Sequence, residues 1–133
     1  MAPVAVVIII AVLEYVAFGW LVGRARHRYG VKAPATTGHE VFERYFRVQQ
    51  NTLETLIVFI PAISLFAIYV NPNWAAWIGL VYVVGRILYL RAYVADPAKR
   101  SAGFTLSALP ILVLLVGALL GAARAMIESN PAG

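Results

Sequence analysis

Cysteine is missing from all 133 residues, which excludes disulfides, thiolate metal sites and cysteine nucleophiles. The two histidines, His27 and His39, stand in one loop as a poor metal pair, so no metal is expected. Charge is sparse: 13% of residues are charged, against about 25% in an ordinary soluble domain. No internal repeat or long polar low-complexity stretch is visible, and the last residues, Ser129 to Gly133, read as a short tail. Basic residues are absent from the N-terminus and from the Asn71-Pro72-Asn73 turn. A signal peptide would place a basic region before a short apolar core. Here Met1-Ala-Pro leads straight into a long apolar run and the basic residues follow it, which predicts a retained first helix.

What remains is overwhelmingly apolar. Hydrophobic residues make up 62% of the chain, and the mean hydropathy is +0.80. Four stretches stand out: Pro3–Gly23, Leu53–Val70, Trp74–Ala95 and Phe104–Ala123. A bilayer core about 30 Å thick needs roughly 20 helical residues, so each stretch can span it. The expected fold is an all-α integral membrane protein, a bundle of four transmembrane helices. It forms one domain over residues 1–133, with helices near 3–25, 40–70, 73–95 and 101–128.

The +5 net charge is too localised to indicate nucleic acid. Arg24, Arg26, Arg28, Lys32, Arg44 and Arg47 fall around the first connection, and Arg91, Lys99 and Arg100 around the third. The positive-inside bias predicts both basic loops in the cytoplasm and both termini outside. Tyr69, Trp74 and Trp77 flank the outer turn as interfacial aromatics. Arg91 and Lys99 read as snorkelling, topology-setting charges. Glu40–Arg44 and Glu43–Arg47 have the i,i+4 spacing of helical ion pairs. The second helix, from Glu40 to Val70, would be roughly 46 Å long and project beyond the lipid core.

Two polar stripes sit at the same depth. Arg47, Asn51 and Glu54 lie within about 60° of one another on a helix. Arg86, Tyr89 and Tyr93 share a face of the third span, and Asp96-Pro97 then forces a break before Lys99 and Arg100. Ionisable groups in membrane helices usually face a bundle interior or a water-filled cavity. One reading is structural: Glu54 pairs with Arg86 or Arg47 as interhelical glue. The other is a ligand site in which arginine forks hold carboxylates, Glu54 holds an ammonium, and a guanidinium stabilises a thiolate.

The stretch FERYFRVQQNTLE (42–54) resembles the FER-x-x-R-x-Q-x-N-x-x-E segment of the membrane-associated proteins in eicosanoid and glutathione metabolism, the MAPEG family. The preceding TTG and the later GLVYVVGRILYLRAYV resemble the same family, in its leukotriene C4 synthase and microsomal glutathione transferase 2 branch. The resemblance covers nearly the whole chain. It implies a homotrimer in membrane lipid, with glutathione as co-substrate bound between subunits near the cytoplasmic face. At matched positions it implies that Arg26, Arg47, Gln49, Asn51, Glu54, Arg86, Tyr89 and Tyr93 bind glutathione. It implies Arg100 as the catalytic residue, acting electrostatically on the sulfur.

Two departures bear on the second substrate. Thr55 stands where the synthase has a tyrosine, and His27 where it has a second adjacent arginine. Both argue against a dedicated leukotriene synthase. The resemblance then implies a glutathione transferase acting on hydrophobic electrophiles, with reduction of lipid hydroperoxides as a further activity. A non-catalytic glutathione- or lipid-binding member is the alternative. Glu14, mid-way through the first span, leaves room for a small four-helix transporter. The short Ala/Val-rich chain suggests a bacterial inner membrane.

Overall fold

The computed structural model describes residues 1–130; Pro131 to Gly133 of the expected tail lie outside the described residues. Four long helices account for nearly all of it: α1 (Ala2–Tyr29), α2 (Glu40–Tyr69), α3 (Pro72–Ala95) and α4 (Ser101–Glu128). Each is long and apolar enough to cross a membrane. Together they form the all-α, four-helix integral membrane bundle expected from the hydropathy pattern.

Local chemistry sets the helix ends. α1 stops at Gly30, whose φ of 67° is the left-handed conformation that closes a helix C-terminus, with its N–H bonded to the Arg26 carbonyl. α2 starts at His39, whose Nδ1 accepts from the Val41 N–H at 3.1 Å. Asn71 caps α3 by accepting from the Trp74 N–H at 3.0 Å, with Pro72 in the first turn. Asp96 ends α3, and its side chain accepts from Ala98 N–H to start a 3₁₀ turn over Pro97–Lys99. That break is the one required by Pro97.

α2 packs against each of the other three helices, and the most extensive helix contact is between α3 and α4. Two glycines make the α3–α4 approach possible. A Cβ on Gly85 would lie 2.6 Å from the Leu106 carbonyl carbon, and one on Gly103 would lie 2.5 Å from the Tyr89 nitrogen. Each glycine therefore faces backbone, the small-residue contact by which helices associate in lipid. The main apolar core lies nearer the N-terminus of α1, where Val4, Phe59, Ile63 and Leu114 are fully enclosed and Phe59 stacks on Tyr82 at 4.1 Å. Outward-facing side chains such as Trp20, Ile57, Trp77 and Leu119 are exposed, as a surface solvated by lipid tails requires.

Candidate active site

The helix stripe read from the sequence becomes one wall of a cleft. Along α2, Arg47, Gln50, Asn51 and Glu54 follow one another at spacings of three, four and seven, so all four face the same side. Tyr89 and Tyr93 on α3, with Arg100 at the start of α4, complete a cleft of about 310 Å³. Arg47, Glu54 and Arg100 are exposed at its rim, whereas Tyr89 is buried at its back. The Tyr89 and Tyr93 rings lie 5.5 Å apart.

The polar groups of this cleft are largely left free by the protein. Among the described residues, the ion pairs are Arg44–Glu40 and Arg124–Glu128, so Glu54 pairs with neither Arg47 nor Arg86. The alternative reading of Glu54 as interhelical glue has no ion pair behind it among the described residues. Glu43 does not pair with Arg47 either; its Oε2 accepts from the Gly38 N–H at 3.3 Å. Asn51 Oδ1 is buried with no hydrogen-bond partner in the protein, an acceptor the fold itself does not satisfy. Arg100 is held by a single bond from Nη1 to the Pro97 carbonyl at 3.0 Å. Its backbone forms the N-cap of α4, whose first turn carries no acidic side chain. The positive end of that helix thus adds to the guanidinium in favouring an anion nearby.

Two further hollows adjoin the cleft. One of about 530 Å³ shares Asn51, Tyr89 and Arg100 and continues along α4 past Ser101, Phe104 and Thr105. The other, about 440 Å³, shares Arg47 and Tyr93 and reaches His39, Glu43 and Arg44. Arg44 spans from α2 to the end of α3, donating to the Val94 carbonyl at 3.0 Å. It supplies a cation where α3 has no basic residue in its last turn.

Three residues named from the sequence lie elsewhere. Arg26 sits beside a separate hollow with His27 and Lys32, and donates to the Ala35 carbonyl at 2.7 Å. Gln49 projects toward α1, where its Nε2 lies 2.7 Å from the position a Cβ on Gly19 would occupy. Arg86 is fully buried behind Tyr89 and lines no part of the cleft. Conversely, Gln50, Ser101, Phe104 and Thr105 were not singled out in the sequence. Gln50 was legible there, since it completes the 47–50–51–54 stripe. The α4 residues carried no polar periodicity that would mark them.

Known proteins share this sequence over most of its length. An uncharacterized protein of Synechocystis sp. is 50% identical over 116 residues, covering 87% of this chain and 85% of its own. Microsomal glutathione S-transferase 2 of Mus musculus is 45% identical over 112 residues, or 84% of this chain and 76% of the relative. Leukotriene C4 synthase of Cavia porcellus is 35% identical over 120 residues, 90% and 80% respectively. The MAPEG family pattern matches residues 4–120. With nearly the whole chain matched, and with four membrane-length helices that carry the motif stripe on one wall, this protein belongs to the MAPEG family.

Proposed function

We propose that the protein is a membrane glutathione transferase that joins the thiolate of glutathione to apolar electrophiles. The observation that carries this reading is the cleft itself, in which Arg47, Asn51, Glu54, Tyr89, Tyr93 and Arg100 converge with their charges unpaired by the protein. Relatives at 45% and 44% identity are named microsomal glutathione S-transferase 2.

The roles follow from charge and position. Arg47 holds a carboxylate of the tripeptide, Glu54 its ammonium, and Asn51 Oδ1 accepts from one of its N–H groups. Arg100, with the N-terminus of α4 behind it, stabilises the thiolate once the thiol has released its proton to solvent. The sulfur lone pair then attacks an electrophilic carbon. A carbon–sulfur bond forms, and the displaced electron pair leaves with the departing group. The hollow along α4, with Phe104 on its wall, suits an apolar electrophile that arrives through lipid. Reduction of lipid hydroperoxides is a second reaction open to the same thiolate.

Assembly and sidedness belong to the same proposal. Arg26 and Gln49 lie away from the cleft of their own protomer, and in a homotrimer they would supply a second wall to a neighbour's cleft. The positive-inside bias of the basic connections supports a site at the cytoplasmic face, and the proposed membrane is a bacterial inner membrane. The test is purified protein in detergent, given glutathione and a panel of small electrophiles and followed for thiolate absorbance and conjugate. Thiolate formation with turnover is the expected result. Binding without either would favour a non-catalytic member of the family.

A further inference from the structure

Behind the cleft lies a polar cluster that the reading above does not use. Arg86 is fully buried, yet it is bonded on both sides. Nη2 donates to Thr52 Oγ1 on α2 at 2.8 Å, and Nη1 donates to Ser107 Oγ on α4 at 3.3 Å. Each hydroxyl passes its own proton onward, Thr52 to the Val48 carbonyl at 2.8 Å and Ser107 to the Gly103 carbonyl at 2.7 Å. The face of the guanidinium is also engaged: Cζ lies 4.4 Å from the centre of the Tyr89 ring. Tyr89 is the buried back wall of the cleft.

α1 adds a buried carboxyl group nearby in the bundle interior. Glu14 is 8% exposed, and neither of its carboxylate oxygens has a hydrogen-bond partner. Arg86 Nε is likewise buried without an acceptor. Tyr82 is occupied by Thr55, with the two hydroxyl oxygens 2.7 Å apart. A guanidinium within a membrane bundle is costly unless its polar atoms are engaged, and here two hydroxyls and a ring face engage it.

We propose that Arg86 is a positioning residue rather than a ligand: anchored on Thr52 and Ser107, it holds the Tyr89 ring in place as the back wall of the cleft. The inference rests on the glutathione reading of that cleft but assigns Arg86 a different part from the one the family resemblance implies. No atom of Arg86 is open to a molecule in the cleft. Its influence must pass through the tyrosine, which Phe104 flanks at 6.3 Å between ring centres. Release of Arg86 would leave the ring loosely held while Arg100 stays where it is.

The test is a double-mutant cycle with glutathione kinetics as the readout. Arg86→Met should raise the KM for glutathione about tenfold with kcat changed far less, because a desolvated cation–π contact is lost. In a Tyr89→Leu background the same change should add little to KM. A full additional tenfold rise there would show Arg86 acting on the ligand independently of Tyr89 and overturn the proposal. An unchanged KM in a folded Arg86→Met protein would also overturn it. Should Arg86→Met fail to fold, Arg86→Lys carries the test: it keeps the charge but loses the planar fork, and an unaltered KM again refutes the role. The contact between Arg86 and Tyr89 can also be read without glutathione. Arg86→Met should lower the melting temperature by about 5 °C in the native background and by much less in the Tyr89→Leu background. Equal shifts in both would detach Arg86 from Tyr89 and overturn the proposal. Failure of the native protein to bind glutathione would sink the functional reading instead, and this melting comparison would still judge the pair.

Discussion

The rim of the cleft and the polar cluster behind it are built from the same residue types and treat them in opposite ways. At the rim, Arg47 and Glu54 are exposed and unpaired, and Arg100 keeps one bond to Pro97. A few ångströms deeper, Arg86 is enclosed, with hydroxyls from α2 and α4 on its nitrogens and an aromatic ring on its face. Where water reaches, charges can stand unpaired at little cost and remain available to a ligand. Where lipid and packed helices exclude water, an unpaired polar atom is costly, and Arg86 Nη1 and Nη2 are both bonded within the protein. The rim therefore keeps charges free for a ligand while the interior engages its arginine within the fold, with Tyr89 between them.

The sharpest way to break this division is Arg100→Ala. Turnover should fall about a hundredfold, the scale on which removing a preorganised charge-stabilising group acts. Helical circular dichroism and melting temperature should stay as in the parent. A comparable loss of stability would mean that Arg100 is part of the scaffold.

The interior counterpart is Thr52→Val, which removes the acceptor for Arg86 Nη2 while keeping the shape of the side chain. Leaving that buried donor unsatisfied should cost about 1–3 kcal/mol of stability. Denaturation in detergent would read the loss, and turnover should fall less than in Arg100→Ala. Should stability not change, the hydroxyl is dispensable and the contrast with the rim weakens.

Arg47→Ala should weaken glutathione binding about tenfold, as expected for one charge-assisted bond, and leave stability intact. Raising the salt concentration should weaken binding by the native protein more than by this variant, since an exposed charge is screened. A salt dependence unaltered by the substitution would remove Arg47 from the carboxylate site.

The smallest effect is expected from Arg124→Ala. Its bond to Glu128 at 2.9 Å joins two exposed side chains on α4, and surface pairs of this kind contribute little. Neither melting temperature nor turnover should change measurably. A clear change would place the end of α4 in a contact outside this protomer.

Four membrane-length helices, the break at Asp96-Pro97 and the stripe of Arg47, Asn51 and Glu54 were all determined by the sequence itself. Hydropathy registers how long a chain can stay in lipid. Helical periodicity registers which residues share a face, and proline's missing N–H registers where a helix must stop. The direction in which each face points was decided only by tertiary packing. Arg47 and Arg86 are both arginines near the same end of a span, yet one opens to the cleft and the other is sealed by Thr52, Ser107 and Tyr89. Gln49 and Gln50 are neighbours of one residue type, and a turn of about 100° sends one toward α1 and the other into the cleft. Gly85 and Gly103 bring α3 and α4 into backbone contact and so set where Tyr89 and Arg100 stand relative to α2. A single helix specifies angles around its own axis, and only its neighbours decide which of those angles is inside.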